Sequence, residues 1–196
     1  MPRPAGHRRD EPIPRRDKAR NSDCRAESLS GKGASRMTDT KDHPIPNPPG
    51  GVFDGTTHLY AVRAYYEDTD LSGIVYHANY LRWFERARSD VLRMLGIDQR
   101  AAIEAGEGAY AVADVQLRYI RPALLDDDVV IHTRCSELRA ASVRMEQEAI
   151  RDGETICTAH LRVGFVAPNG RPRRQPEAWR EAFTKILDTR SLGEPA

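Results

Sequence analysis

Two acids, a glycine and a histidine fall at short intervals in the segment Tyr65–Arg88, which reads YYEDTDLSGIVYHANYLRWFERAR. The acids are Asp68 and Asp70, and Gly73 and His77 follow. The pattern is that of a strand end, an acidic turn, a glycine and the entry to a long helix. A helix N-terminus exposes backbone N–H groups that lack intrahelical partners, and it carries a partial positive charge. Such groups polarise a carbonyl oxygen as an oxyanion hole does. A carboxylate just upstream then sits beside the polarised carbon. Hydrolysis of an acyl bond such as a thioester needs this pair of functions and no metal. Asp also favours turns and caps, so on spacing alone Asp70 reads as a turn residue as well.

Other chemistry-bearing side chains point to structure. Glu85 and Arg88, one helical turn apart, read as a pair across the helix surface. His58, His132 and His160 stand alone in strand-like runs. The acids Asp126–Asp128 fall in a turn and read as solvated. Cys24, Cys135 and Cys157 form neither a CxxC pair nor a Cys/His cluster, so no metal site is expected. Cys135 and Cys157 lie in strand-like runs, where a free thiol acts as a small buried hydrophobe. A reducing, cytoplasmic compartment fits this usage.

The elements that must position the acidic turn follow from periodicity. Thr57–Tyr66 (THLYAVRAYY) alternates and is rich in aromatic and β-branched residues, which predicts a strand. From about Ala78 to Leu95, the residues Tyr80, Phe84, Ala87, Val91 and Leu95 recur at three- and four-residue steps on one helical face. Leu81 and Trp83 add apolar residues on other faces, as in a helix enclosed by a sheet. Gly96 is placed to end it. A short helix is expected over Gln99–Ala105, then strands over Tyr110–Arg121, Asp128–Leu138, Ser142–Arg151 and Thr155–Ala167. Asp152-Gly153 is a hairpin signal between the last two. Pro176–Leu187, with Trp179, Ala182, Phe183 and Ile186 on one face, predicts a final helix. Four consecutive strands with short joints predict an antiparallel meander, and the early helix must cover one face of it. The expected class is α+β: a curved, antiparallel five-stranded sheet wrapped around a long helix.

Composition bounds the rest. The chain has 196 residues, enough for one domain with a real core. No apolar run approaches the roughly 18–20 residues that span a bilayer, so no integral membrane segment is expected. Residues 1–36 hold ten Lys/Arg against five Asp/Glu, leaving the remaining 160 residues at −4 of the overall +1. A mildly acidic body argues against nucleic acid as a partner. Residues 1–56 hold eight of the thirteen prolines and few large apolar side chains, which predicts a disordered tail ahead of a domain over 57–190. Met37 opens MTDTKDHPIPNPPGG and is an alternative start, which would make residues 1–36 dispensable.

The acidic turn and helix entry closely resemble the 4-hydroxybenzoyl-CoA thioesterase family, and within it the tol-pal-associated acyl-CoA thioesterases. The matching residues are Asp68-Thr69-Asp70, Gly73, Val75-Tyr76-His77, Asn79-Tyr80, Trp83-Phe84-Glu85 and Ala87-Arg88. Tyr119-Ile120-Arg121-Pro122-Ala123 resembles a second family signature, and the likeness extends over about Leu59–Ala167. The resemblance implies a hotdog fold, a homodimer or homotetramer, and hydrolysis of acyl-CoA thioesters without a cofactor. By position, Asp70 matches the family's catalytic aspartate, as general base or as nucleophile. His77 matches the helix-entry residue whose backbone N–H faces the thioester carbonyl, with a side chain that either assists or only packs. Gly73 belongs to the same motif, and Tyr66 and Tyr76 are expected as pocket walls. Arg121, Arg118 and Arg82 read either as contacts to CoA phosphates, because guanidinium forks suit phosphate geometry, or as a solvated face. The alternative reading is a non-catalytic hotdog module that holds an acyl carrier protein or a lipid-synthesis partner.

Overall fold

In the computed structural model, which describes residues 48–188, the apolar positions of the long helix converge on one sheet. Helix α1 spans His77–Met94, and its Tyr80, Trp83, Phe84, Ala87 and Val91 are at most 3% exposed. Burying each of the larger side chains contributes about 1.5–3 kcal/mol. Leu81 departs from the expectation of a helix buried all round, being 39% exposed. The helix stops where Gly96 takes φ +70°, with its N–H bonded to the Arg93 carbonyl and the Ile97 N–H to that of Leu92. That is a Schellman ending, and the positive φ is the reason for glycine.

The strands are β1 (Val52–Asp54), β2 (Thr57–Arg63), β3 (Ala109–Tyr119), β4 (Asp128–Leu138), β5 (Ser142–Arg151) and β6 (Glu154–Val166). Two shorter helices are α2 (Gln99–Glu104) and α3 (Glu177–Thr184). All strand pairs are antiparallel, in the order β1-β2-β4-β5-β6-β3. The hotdog arrangement expected from the sequence is present, with two corrections. The sheet has six strands rather than five, because Val52–Asp54 pairs with β2 although it falls in the stretch expected to be disordered. The meander covers only β4, β5 and β6. Strand β3 does not pair with β4 but crosses to the far edge and pairs with β6, Ala109 opposite Val166 and Tyr119 opposite Cys157. Residues 1–47 of the expected tail, with Cys24 and Met37, lie outside the described residues.

Two buried polar bridges lock α1 to the sheet. His58, fully buried on β2, meets Asp90 Oδ2 through Nε2 at 2.9 Å, and the Gly51 N–H donates to the same oxygen at 2.7 Å. A Cβ at Gly51 would lie 2.4 Å from the His58 ring, so only glycine lets the chain pass. On the other side, Gln147 of β5 is fully buried and donates to the Phe84 carbonyl and to Thr133 Oγ1, both at 3.0 Å. Its Oε1 accepts from Arg88 at 2.7 Å, and Arg88 also pairs with Glu85 as expected. Every polar atom of that amide oxygen and nitrogen pair has a partner, which removes most of the cost of burying it.

The free thiols Cys135 and Cys157 are buried, and burial pushes both up to about 12. The acids 126–128 are not all solvated. Asp127 accepts from the Arg151 guanidinium at 2.6 Å, and Asp128 accepts from Arg63 at 2.7 Å. No described helix is long and apolar enough to cross a membrane.

Candidate active site

Past Ala64, the chain makes a short 3-10 turn at Tyr66–Asp68 and then a tight loop into α1. The two acids of this segment take different parts. Asp68 is 7% exposed; its Oδ2 accepts the Tyr65 N–H at 2.9 Å. Its carbonyl accepts the Tyr76 N–H at 2.8 Å and the Asn79 side-chain amide at 2.7 Å. Asp68 therefore ties the turn to the start of α1. Asp70 is exposed on the loop that follows.

That loop is closed by its own backbone. Thr69 bridges Val75, the Asp70 N–H donates to the Ile74 carbonyl at 3.1 Å, and the Gly73 N–H donates to the Asp70 carbonyl at 3.0 Å. Gly73 takes φ +78° with nothing near an added Cβ, so its requirement is conformational. The Val75 N–H donates to the Ala123 carbonyl at 2.8 Å, which fixes the loop against the segment after β3. Asp70 Oδ1 accepts the Ser72 N–H at 2.8 Å and also the Ser72 hydroxyl. The Ser72 hydroxyl, then its N–H, and the nearby His77 hold the Asp70 carboxyl below the usual carboxylate range.

A cleft of about 390 Å³ opens where this loop, the start of α1 and the end of β3 meet. Of the residues expected from sequence, Asp70, His77 and Arg121 line it. Tyr66, Gly73 and Tyr76 do not. Tyr66 is 83% exposed, and Tyr76 packs its ring on that of His77 at a centroid distance of 4.3 Å. Arg121 pairs with Glu154 and so holds its guanidinium at the cleft rim. Arg82 and Arg118 are exposed and lie outside the cleft lining.

Tyr119 and Tyr80 also line the cleft, and sequence reasoning gave neither a role there. The Tyr119 hydroxyl donates to the His77 carbonyl at 3.0 Å, and its ring meets that of Tyr80 edge-on at 5.6 Å. Tyr80 accepts the Ala123 N–H at 2.9 Å on its hydroxyl. Burial pushes both phenols up, so both remain protonated. The signal for Tyr119 was its place two residues before Arg121 at a strand end. His77 is the first residue of α1, and its N–H therefore has no intrahelical acceptor. The cleft thus combines an ionised carboxylate, an open helix N-terminus and apolar walls from Ile74 and Ile120. This set suits attack on a polarised acyl carbon.

A second, smaller cavity of about 70 Å³ lies further along α1, beside Leu92, Val112 and Phe183, with Glu85 and Arg88 at its edge. It holds no helix terminus and no Asp70. Among the described residues, no group of three or more His, Cys, Asp and Glu side chains is arranged to hold a metal ion.

Comparison with known proteins agrees with the fold. The sequence profile of the thioesterase superfamily matches residues 72–158. The acyl-CoA thioesterase YbgC of Haemophilus influenzae is 39% identical over 107 residues, 55% of this chain and 79% of the relative. The acyl-CoA thioesterase YbgC of Helicobacter pylori is 41% identical over 135 residues, 64% of this chain and 96% of the relative. Among solved structures, a probable thioesterase from Bartonella henselae superposes with a TM-score of 0.58 at 36% identity, covering 61% of this chain and 99% of its own. A six-stranded antiparallel sheet around a long helix, a carboxylate at that helix's open end, and relatives of this similarity lead to one family: this chain belongs to the thioesterase superfamily.

Proposed function

We propose that the protein hydrolyses acyl-CoA thioesters in the cleft between Asp70 and the start of α1. The observation that carries this reading is the Asp70 carboxylate at the cleft, beside the open N-terminus of an 18-residue helix. A thioester carbonyl oxygen takes the His77 N–H, which draws electron density from the acyl carbon. Water adds to that carbon while Asp70 takes up its proton. The tetrahedral oxyanion then collapses, the C–S bond breaks, and the CoA thiolate leaves with the proton. In the nucleophilic variant, Asp70 itself attacks, CoA leaves first, and water hydrolyses the acyl-aspartyl anhydride. Short- and medium-chain or aromatic acyl groups suit the modest cleft, and Arg121 at its rim suits a CoA phosphate.

Assembly into a dimer or a tetramer belongs to the same proposal. Strand β3 is an 11-residue edge, with Val112, Val115 and Tyr119 between 42% and 49% exposed. Long apolar edges of this kind tend to pair. The buried free thiols suit a reducing, cytoplasmic setting.

A thiol-release assay against acyl-CoAs of graded length and benzoyl types tests the reading. Turnover of at least one class is expected. Failure across the whole panel would sink it and favour a module that binds an acyl carrier protein.

A further inference from the structure

The Asp70 carboxylate is held by one oxygen only. Oδ1 accepts both donors of Ser72, whereas no hydrogen bond among the described residues reaches Oδ2. We propose that Ser72 is the positioning residue for Asp70, clamping Oδ1 so that Oδ2 is the oxygen presented to the acyl carbon or its attacking water. The proposal rests on Asp70 being the reacting carboxylate.

The loop's architecture argues that the hydroxyl is there for the carboxylate and not for the turn. The turn is already closed by the Gly73 N–H on the Asp70 carbonyl and by the Asp70 N–H on the Ile74 carbonyl. An Asx-type contact needs only the Ser72 N–H, which any residue but proline supplies at this position. The Ser72 hydroxyl adds a second donor to the same oxygen. Together they fix the carboxylate's rotation on a loop whose tip, Leu71, is fully exposed. Without the clamp, an exposed aspartate samples several rotamers, and the near-attack geometry is populated less often.

The other charged or titratable groups facing Asp70 are engaged elsewhere or fixed. His77 approaches from α1 and favours the ionised form. Arg121, from beyond β3, lines the same cleft with its guanidinium on Glu154. Asp68 turns its carboxylate to the Tyr65 N–H. Tyr80 and Tyr119 are occupied by the Ala123 N–H and the His77 carbonyl. Ser72 is thus the one side chain that donates to Asp70 among the described residues.

The test compares Ser72→Ala, Ser72→Thr and Asp70→Asn in the full chain, using the acyl-CoA that the wild type turns over fastest. Ser72→Ala is expected to lower kcat about 5- to 10-fold with KM unchanged, the size of one ordinary hydrogen bond, because the Ser72 N–H still holds the same oxygen. The acid limb of its kcat/KM profile should move to higher pH, because the lost donor favoured the ionised carboxylate. The ¹³C-carboxyl titration of Asp70 in the resting protein should move the same way, independent of turnover. Ser72→Thr should restore all three. An unshifted titration in Ser72→Ala, or a lowered kcat that Thr does not rescue, overturns the positioning role. If Asp70→Asn is inactive while Ser72→Ala matches wild type, only the positioning role falls. If Asp70→Asn keeps wild-type kcat, the catalytic reading falls and takes this one with it.

Discussion

Asp70, just ahead of α1, and Asp90, far along it, are both hydrogen-bonded carboxylates with a histidine nearby, yet their surroundings are opposite. Asp90 is 6% exposed, and its Oδ2 takes both the fully buried His58 and the Gly51 N–H. Asp70 is exposed, has its histidine at the mouth of a cleft, and keeps Oδ2 free among the described residues. A carboxylate buried between two elements holds them together. One that is oriented but open to a cleft stays within reach of a substrate. Burial, rather than the presence of an Asp–His pair, separates architecture from chemistry in this fold.

Substitutions at the two positions should therefore fail in different ways. Asp70→Asn removes the charge and nearly preserves shape. It should lower kcat by roughly 100- to 10,000-fold, the range of general-base catalysis, with the melting temperature unchanged. The same carboxylate sets the pH dependence. Its folded pKa lies below the usual range, so activity should persist at moderately acid pH and fall only as pH drops through that lowered value. Wild-type turnover in Asp70→Asn would erase the distinction drawn here.

Asp90→Ala should do the reverse. It strands His58 in the core and releases Gly51, at a cost of about 1–3 kcal/mol of stability by chemical denaturation, while the remaining folded protein keeps its kcat. A variant as stable as wild type would show that the buried pair is not holding β1 and β2 to the helix. Asp68→Asn gives the smallest effect. The amide oxygen still accepts from the Tyr65 N–H, so about 1 kcal/mol of stability and less than about a tenfold loss of kcat are expected. If Asp68→Asn proved more damaging to kcat than Asp70→Asn, the roles of the two acids would have to be exchanged.

How far the sequence alone reached depends on the range of each signal. The long helix was legible because Tyr80, Phe84, Ala87 and Val91 repeat locally, and the structure buries all four. Asp152-Gly153 was legible as a hairpin because both residues must take positive φ, and they do. The pairing of β3 was not legible. Its alternation is the same whether it lies beside β4 or β6, and the choice is made by contacts distant along the chain. Strand β1 escaped because three residues in a proline-rich stretch carry no period. In the site, Asp70 and His77 lie within one short motif. Tyr119 reaches the His77 carbonyl from 42 residues away, a contact that only the folded sheet creates. Tyr66 and Tyr76 are pocket walls by the resemblance, but the 3-10 turn and the helix entry direct both toward solvent.

The crossing of β3 to the far edge also sets an order of events during folding. When β3 leaves the ribosome, its neighbour β6 has not been made, and the ladder from Ala109 to Val166 closes only after β4 and β5 have emerged. Until then β3 is an unpaired strand with apolar side chains on show, the kind of segment that invites association between nascent chains. Closing so long a loop is slow relative to the local β4–β5–β6 hairpins. In pulse-labelled refolding, the β3 amides should therefore gain protection after those of β5, and protection in the opposite order would contradict this sequence of events.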